Sequence, residues 1–372
     1  MQGGASVPPQ KNLPNIGGSK PPPYGAFKAG EPMLRKLSFI LAVILVFTGC
    51  AGPAQPEQTQ YNATFLTLFD TVTTIVGRAE SKEIFTEKAQ GVHDKLQVYH
   101  QLFDIYNDYE GLNNLKTVND NAGQAPVKVD PILIDLLLDC KEYYSLTDGR
   151  VNVAMGSVLQ LWHEARSHGL DHPESAALPD MAALEEAAGH TNMDDVVIDR
   201  ENSTVFLTDP QMRLDVGAVA KGWAVQRVAE ESPRGLLISV GGNVCATGPK
   251  DETGTPWVVG INDPDGGEYL HTIYNADASV VTSGDYQRYF VVDGKPYHHI
   301  IDPDTRMPGT LWRSVTIVCG DSGLADALST ALFLLPLEEG QALAAECGAE
   351  VLWMDAAGEL YYTPGFRELI KK

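Results

Sequence analysis

The chain has 372 residues, of which 44% are hydrophobic and 8% aromatic, so it is long enough to bury one large core or two medium ones. Its 49 acidic residues outnumber 27 basic ones, and the formal charge of -22 would repel the phosphates of a nucleic acid. Nucleic acid is therefore not expected as a partner, whereas an anionic nucleotide could bind where a divalent cation and backbone amides offset this charge.

The first 60 residues are typical of a targeting and anchoring region rather than of a folded domain. Residues 33–50 combine a charged start, an apolar run too short to span a bilayer and small residues before Cys50, which resembles a bacterial lipoprotein signal peptide. The alternative is an uncleaved N-terminal anchor, and either one predicts an extracytoplasmic protein attached to the bacterial cell membrane. Because a signal peptide begins at its own Met, we interpret residues 1–32 as a disordered gene-model extension. The Pro- and Gln-rich residues 51–60 are typical of a flexible tether.

From Tyr61 onward the sequence predicts an α+β fold with mixed sheets and packed helices, since helices and strands interleave without regular βαβ units. The predicted helices are Ser81 to about Tyr106, with Ser81 as N-cap, then Pro131–Leu146, Ala218–Glu230 and Leu324–Cys347, the last broken at Pro336. The predicted strands are Thr64–Gly77, broken at Asp70, then Val196–Leu207, Leu236–Val240, Trp257–Ile261, Ser279–Thr282, Tyr289–Val292, Ser314–Val318 and Val351–Met354. The other four cysteines show no metal or disulfide spacing and are expected to be small buried side chains.

The stretch Thr282–Pro303 carries the clearest pattern of a binding site. Gly, Asp and His residues there surround two short apolar runs, an arrangement that brings backbone and polar groups close to a charged ligand. His299 is the best candidate for proton transfer because an imidazole titrates near neutrality. In an extended segment His298 would point the opposite way. A structural His299 bonded to Asp302 is the alternative.

Two glycine-containing segments predict close approach of a ligand to the backbone. Leu214–Gly222 reads as the end of a strand running through Gly217 into a helix start, where free N–H groups favour phosphate. Its alternative is a tight turn with a solvated Lys221. Ile238–Asn243 is a strand followed by paired glycines, for which a plain hairpin turn is the favoured alternative.

Asp326 and Thr330 are four residues apart and therefore lie on one face of a predicted helix. A carboxylate and a hydroxyl in this arrangement supply two oxygens to Mg²⁺, while ordinary helix capping by Asp326 is the alternative. Thr147–Gly156 reads as a turn, a short core strand and a Gly break.

The order of these segments resembles the FAD:protein FMN transferase family, also called ApbE. The matching segments are DGRVNV with the following Gly and LQLW, LDVGAVAKGWAVQRVAE, VGGN, TSGDYQRYF, HHIIDP, SVTIV and ADALSTALF, from about Phe69 to Leu335. The resemblance implies an ApbE-like, T-fold-like single catalytic unit over residues 61–372. It also implies Mg²⁺-dependent transfer of FMN from FAD to a Thr or Ser hydroxyl of a target protein through a phosphoester bond, with AMP leaving. The implied acceptor protein carries an Asp-x-x-Ser/Thr-Gly-Ala-Thr type motif, which this chain lacks.

The resemblance also implies roles for individual residues. Mg²⁺ would be held by Asp326, the Thr330 hydroxyl and the main-chain carbonyl of Ala218, with His299 and Asp326 as the catalytic residues. The implied FAD contacts are Phe69, Ala154, Met155, Gly156, Asp215, Lys221, Gly242, Asn243, Ser283, Gly284, Asp285, His299 and Ile301. Phe69 stands where many members have Met, and Asn152 and Ala154-Met155 replace the usual Asp and Thr-Val. The alternatives are an FAD pyrophosphatase giving free FMN and AMP, and a non-catalytic flavin-binding lipoprotein.

Overall fold

A computed structural model of the protein describes residues 58–372. The predictions for residues 1–57, including the signal peptide and lipidation at Cys50, lie outside this range. No helix within residues 58–372 has both the length and the apolar character needed to cross a membrane. The first strand begins at Thr59, so regular structure starts inside the predicted tether.

The helices follow local sequence signals closely. They are α1 Lys82–Phe103, α2 Leu115–Asp120, α3 Pro131–Leu146, α4 Gly156–Asp171, α5 Met181–Ala188, α6 Ala220–Glu230, α7 Ser322–Leu334, α8 Leu337–Glu346 and α9 Phe366–Leu369. The predicted cap of α1 is confirmed, because the Ile84 N–H donates to Ser81 Oγ at 3.4 Å. Pro336 separates α7 from α8, since its ring has no N–H to donate and cannot continue a helix.

The strands form one eight-stranded sheet and three smaller ones. They are β1 Thr59–Leu68, β2 Thr71–Ala79, β3 Val127–Lys128, β4 Val196–Asp199, β5 Thr204–Leu207, β6 Leu236–Val240, β7 Asn243–Ala246, β8 Trp257–Ile261, β9 His271–Asn275, β10 Ser279–Gly284, β11 Tyr289–Val292, β12 Lys295–His298, β13 Ser314–Cys319, β14 Glu350–Met354 and β15 Leu360–Tyr362. The large sheet has the order β1-β2-β6-β7-β10-β13-β14-β15. The α+β class is confirmed, but the named strands pair antiparallel throughout where mixed sheets were predicted.

The large sheet is covered on both faces, which explains why β13 is buried along its whole length. On one face Val315 and Ile317 pack with Leu328 of α7. On the other face Val318 packs with Ile273 of β9. A strand enclosed on both sides reads as a continuous apolar run. Because α7 packs against β10, β13 and α6, the residues that it carries have fixed positions.

Three segments predicted to be strands have a different structure. Val196–Leu207, predicted as one strand, is a hairpin of β4 and β5 joined by a turn at residues 200–203. Within Thr147–Gly156, residues 153–154 form a turn in which Asn152 Oδ1 accepts the Ala154 N–H at 2.9 Å, Met155 makes an isolated parallel bridge with Arg213, and α4 then begins at Gly156. Residues 214–216 join no sheet. The Asn119 side chain binds the Leu214 backbone instead, accepting its N–H at 2.7 Å and donating to its carbonyl at 3.0 Å.

Candidate functional site

Helices α6 and α7 meet at Gly222 and Asp326, and this contact positions the predicted metal ligand. A Cβ on residue 222 would overlap the Ser322 carbonyl and lie 2.5 Å from Asp326 Cβ. With glycine there, the Gly222 N–H donates to Asp326 Oδ2 at 2.8 Å, and Lys221 Nζ lies 3.5 Å from the same oxygen. Asp326 is only 4% exposed, so these partners stabilise a carboxylate that has little access to water.

The first turn of α6 is held by Asp326. Gly222 is the third residue of α6, so its N–H has no acceptor inside the helix and donates to Asp326 instead. Within residues 58–372 no backbone N–H donates to the Ala218 carbonyl, which lies just before this helix. Thr330 is half-buried one turn after Asp326 on α7. All three predicted metal ligands offer hard oxygen donors, and Asp326 and Thr330 share one face of α7.

No group of three or more His, Cys, Asp or Glu side chains able to hold a metal occurs in residues 58–372. The predicted magnesium set contains just one such side chain, Asp326. Its remaining donors are a hydroxyl and a carbonyl, which suits an ion that keeps several waters and binds substrate phosphates. The residues present therefore fit Mg²⁺.

A pair of hydroxyl groups connects α7 to the end of β10. Ser283 Oγ lies 2.8 Å from Ser329 Oγ, and Ser329 Oγ donates to the Asp326 carbonyl at 2.8 Å. Asp285 turns away toward Arg313, whose Nε lies 3.6 Å from Asp285 Oδ2. Burial raises the pKa of Asp285, although Arg313 opposes the shift. Ser283 is therefore linked to α7, whereas Asp285 is held by Arg313.

Two hairpin turns lie side by side at one end of the large sheet. Phe69 and Asp70 connect β1 to β2 with φ of 53° and 50°, and Gly241 and Gly242 connect β6 to β7 with φ of 57° and 93°. The Gly241 N–H donates to the carbonyl at position 72 at 3.1 Å, which joins the turns. The paired glycines thus form the hairpin favoured from their residues alone. Positive φ is unfavourable for side chains such as Phe69 and concentrates at functional sites.

Asn243, directly after the second turn, has an unsatisfied donor. Its residue is 2% exposed, and its Nδ2 has no hydrogen-bond partner within residues 58–372. An amide left unpaired in the interior is unfavourable unless a ligand or water satisfies it. Phe69 stands nearby with its N–H donated to His100 Nδ1 at 3.2 Å. The predicted approach of a nucleotide to Gly242 and Asn243 would give the Asn243 Nδ2 donor a partner.

The adjacent histidines have opposite environments. His298 is buried, donates from Nε2 to the Gly309 carbonyl at 2.8 Å and accepts the Ile300 N–H at Nδ1 at 3.2 Å. His299 is exposed and makes no hydrogen bond to Asp302, whose Oδ1 accepts from the backbone at Asp304 instead. His298 is therefore the structural histidine, and His299 is the one available to a substrate.

His299 lies in a cleft lined by cations. The residue has an exposed surface, yet the protein packed around it removes much of the water that would stabilise a charged imidazole. This desolvation is the main cause that lowers the pKa of His299 to about 3, and the second is repulsion by Arg288, His298, Lys221 and Arg166. The imidazole of the free protein is therefore neutral at pH 7, which corrects the expectation that it titrates near neutrality.

Asp215 and Tyr106 belong to the same cleft. Burial raises the pKa of Asp215 even though its Oδ1 accepts the Gly217 N–H at 2.8 Å. Burial and then Asp215 raise the pKa of Tyr106 to about 12. The Tyr106 ring lies 5.4 Å from that of His163, and His163 Nδ1 is 3.4 Å from Arg166 Nη2. The cleft thus joins predicted residues to others that the sequence did not identify.

Tyr106, His163, Arg166 and Arg288 were missed because no spacing rule relates them. Within residues 58–372 neither Arg166 nor Arg288 forms a salt bridge with a carboxylate. Burial and Arg288 lower the pKa of Arg166, as expected for neighbouring cations that lack an anion. Read along the sequence, Arg166 looks like part of the solvated face of α4.

The predicted flavin contacts Ala154, Met155, Gly156 and Ile301 are all buried. Ala154 is 0% exposed and belongs to the main core, so a ligand would reach it only after rearrangement. Met155 and Ile301 share one apolar cluster. Gly156 is required by packing, because a Cβ there would lie 2.5 Å from the Arg213 carbonyl oxygen. In this structure the four predicted contacts are therefore buried residues with little access to a ligand.

A groove between α3 and α6 lies apart from these residues. Its volume is about 1000 Å³, and it is lined by charged side chains together with Trp223, whose indole donates to Asp139 at 2.7 Å. None of the predicted site residues lines it.

The comparisons with known proteins identify the family of this chain. Residues 66–353 match the model of the ApbE family. An FAD:protein FMN transferase of Klebsiella pneumoniae is 34% identical over 251 residues, which cover 64% of this chain and 75% of the relative. One of Treponema pallidum is 38% identical over 251 residues, covering 62% and 67%. The crystal structure of the ApbE protein from Thermotoga maritima superposes with a TM-score of 0.74 at 29% identity, covering 84% of this chain and 100% of that one. The chain therefore belongs to the ApbE family.

Proposed function

We propose that this protein transfers FMN from FAD to a Thr or Ser hydroxyl of a target protein through a phosphoester bond, with AMP as the leaving group. Two relatives named FAD:protein FMN transferase support the reaction class. The observation that carries the proposal is the α6–α7 junction, where the buried Asp326 carboxylate accepts the Gly222 N–H and, within residues 58–372, the Ala218 carbonyl just before α6 receives no backbone N–H. Cleavage of a phosphoanhydride depends mainly on positioning and charge neutralisation, so it requires no covalent nucleophile from the enzyme.

In the proposed site Asp326, the Thr330 hydroxyl and the Ala218 carbonyl hold Mg²⁺. Bound there, Mg²⁺ would offset the negative charge of the FAD diphosphate. Lys221 Nζ lies 3.5 Å from Asp326 Oδ2 and donates to the Gly217 carbonyl at 3.1 Å. Its ammonium is thus kept where it can attract a phosphate.

His299 is proposed to take the proton from the acceptor hydroxyl. It is neutral at physiological pH and can accept a proton, but the surrounding cations make it a weak base in the free protein. A bound diphosphate adds negative charge to the same cleft, which would raise the pKa of His299 toward the range of an effective general base. His299 is thus expected to become more basic when the dinucleotide is present.

The reaction is tested by incubating the protein with FAD, Mg²⁺ and an acceptor protein that carries an Asp-x-x-Ser/Thr-Gly-Ala-Thr type motif. We expect the acceptor mass to rise by one FMN unit, with AMP released. Free FMN and an unmodified acceptor would indicate an FAD pyrophosphatase instead. Retention of intact FAD without AMP release would indicate a non-catalytic flavin-binding protein.

We further propose that the protein is lipid-anchored at Cys50 on the extracytoplasmic face of the cell membrane. The charged start, short apolar run and small residues of positions 33–50 support this. Metabolic labelling with a radioactive fatty acid should mark the wild-type protein and leave a Cys50→Ser variant unlabelled. Equal labelling of the two proteins would refute the anchor site.

A further inference from the structure

Residues 300–309 form a small hairpin that begins directly after His299. The Gly309 N–H donates to the Ile300 carbonyl at 3.0 Å, and the Asp302 N–H donates to the Met307 carbonyl at 2.9 Å. The orientation of this hairpin sets the direction in which the chain leaves His299. Anything that fixes the hairpin therefore also affects the placement of the imidazole.

Arg150 is bound to the tip of this hairpin by two carboxylates. Its Nη1 lies 2.6 Å from Asp304 Oδ2 and 3.5 Å from Asp302 Oδ1. The side chains of Arg150 and Asp302 are 25% and 19% exposed, so this pair is less screened by water than an ordinary surface pair. Without the guanidinium, two neighbouring carboxylates would repel each other at the tip.

The backbone that carries Arg150 is itself well anchored. Arg150 follows a turn in which Asp148 and Gly149 have φ of 48° and 79°. Thr147, at the end of α3, accepts the Val151 N–H on its hydroxyl at 3.1 Å and donates that hydroxyl to the Tyr143 carbonyl at 2.7 Å. Because its backbone is anchored, the Arg150 side chain can hold the hairpin in place. A charged residue on a flexible loop would instead move together with the hairpin.

A second contact holds the same hairpin from α4. The indole N–H of Trp162 donates to the Arg306 carbonyl at 2.9 Å. Arg306 has φ of 61°, a turn conformation that side chains rarely adopt. Trp162 thus fixes the turn itself, and Arg150 fixes the acidic residues that precede it.

We propose that Arg150 is a positioning residue for FMN transfer, which orients the 300–309 hairpin and through it His299. The inference rests on the proposed function. Arg150 acts on the chemical step only through the hairpin. Its loss should therefore lower kcat and leave the KM for FAD within about twofold, because the metal and phosphate contacts are untouched.

The test compares Arg150→Gln with Arg150→Lys and with Arg200→Gln. Arg200 forms a 2.8 Å pair with Asp135 on an exposed surface, so its substitution removes an ion pair of the same chemistry elsewhere. Arg150→Gln should lower kcat about tenfold, less than the roughly 100-fold loss that a 1 Å misplacement can cause. Arg150→Lys should recover most of that loss, and Arg200→Gln should match the wild type.

A double-mutant cycle and hydrogen exchange complete the test. If Arg150 works through the tip, Arg150→Gln should lower kcat less in an Asp304→Asn background than in the wild type, because only the contact with Asp302 remains to be lost. The Asp302 and Gly309 amides should exchange faster in Arg150→Gln but not in Arg200→Gln. Unchanged exchange or an unchanged kcat in Arg150→Gln would overturn the proposal, as would a loss that Lys does not restore. Absence of any FMN adduct with the wild type would instead refute the proposed function, while exchange would still report on the hairpin.

Discussion

The two ends of the candidate site are built in opposite ways. At the metal end, Asp326 and Gly222 lie on regular helices, and their contact is fixed by close packing in the core. At the His299 end, the cleft is made by loops and turns from distant parts of the chain, held by ion pairs and side-chain hydrogen bonds. The metal end should therefore tolerate almost no change of shape. At the His299 end, removal of each single ion pair or side-chain hydrogen bond should lower activity by a limited amount.

The largest effect is expected at the metal end, from Asp326→Asn. Asparagine keeps the shape and can still accept the Gly222 N–H, but it removes the charge that would hold Mg²⁺. Mg²⁺-dependent FMN transfer should fall by about 10³-fold, comparable to loss of a principal electrostatic contact in an active site. The measurement is the rate of acceptor modification at saturating FAD across a magnesium titration.

Asp321→Asn provides the control on the same helix. Asp321 caps α7 by accepting the Leu324 N–H at 2.8 Å, and Asn caps a helix about as well as Asp. This variant should retain wild-type activity. Full Mg²⁺-dependent transfer by Asp326→Asn would show that the carboxylate is not the metal ligand.

The next largest effect should come from His299→Ala, which removes the proposed base and is expected to slow transfer by about 10²-fold. The pH dependence distinguishes this role from a structural one. Since the pKa of His299 is about 3 in the free protein, kcat/KM should show no limb from this residue between pH 6 and 9. In the FAD complex the pKa of His299 should be higher. As the pH is lowered, kcat should therefore begin to fall at a higher pH than kcat/KM does.

His298→Ala is the matched comparison for the neighbouring residue. It removes the bond to the Gly309 carbonyl and a buried ring, so it should lower the free energy of unfolding as well as activity. His299→Ala should leave stability nearly unchanged because its ring is exposed. A kcat/KM limb near pH 6.5 that disappears in His299→Ala would contradict the lowered pKa.

The contrast between the two ends also explains what the sequence could predict. Helix α3, the Ser81 cap, the break at Pro336 and the common helix face of Asp326 and Thr330 follow from interactions within a few residues. Local rules are sufficient for such features.

The remainder of the site depends on residues far apart in the chain. Asn119 binds Leu214 across 95 positions, and Arg150 binds Asp304 across 154. The short core strand predicted within Thr147–Gly156 was wrong because alternating Val-Asn-Val resembles a strand, whereas the Asn152 side chain bonds the Ala154 N–H and makes a turn. Hydrogen bonds from side chains to backbone donors do not alter the hydrophobic periodicity of the sequence, so a prediction based on periodicity does not detect them.

Gly222→Ala tests the packing at the metal end directly. The added methyl would overlap the Ser322 carbonyl and Asp326 Cβ, so α6 and α7 must separate. Overpacking of this kind should lower the free energy of unfolding by about 1–3 kcal/mol and reduce transfer by displacing Asp326. Gly91→Ala on α1 is the control, since nothing lies within 4 Å of its Cβ and alanine favours a helix by about 1 kcal/mol. If both variants were equally stable, the close approach of α6 and α7 would not be required for folding.

The smallest effect is expected at the Phe69-Asp70 turn, where both residues have positive φ and the backbone is strained. The Asp293-Gly294 turn has the same two-residue form, with φ of 51° and 79°, but places glycine second, where type I′ hairpins favour it. Asp70→Gly should therefore raise the free energy of unfolding by about 0.5 kcal/mol, since relief of αL strain exceeds the entropy cost of glycine. Gly294→Asp should lower it by a similar or larger amount. Urea unfolding measures both, and a loss of stability in Asp70→Gly would mean that the Asp70 side chain stabilises the turn. If Asp70→Gly instead gains stability while FAD binds more weakly, the strain at this turn serves to place Phe69 for the substrate.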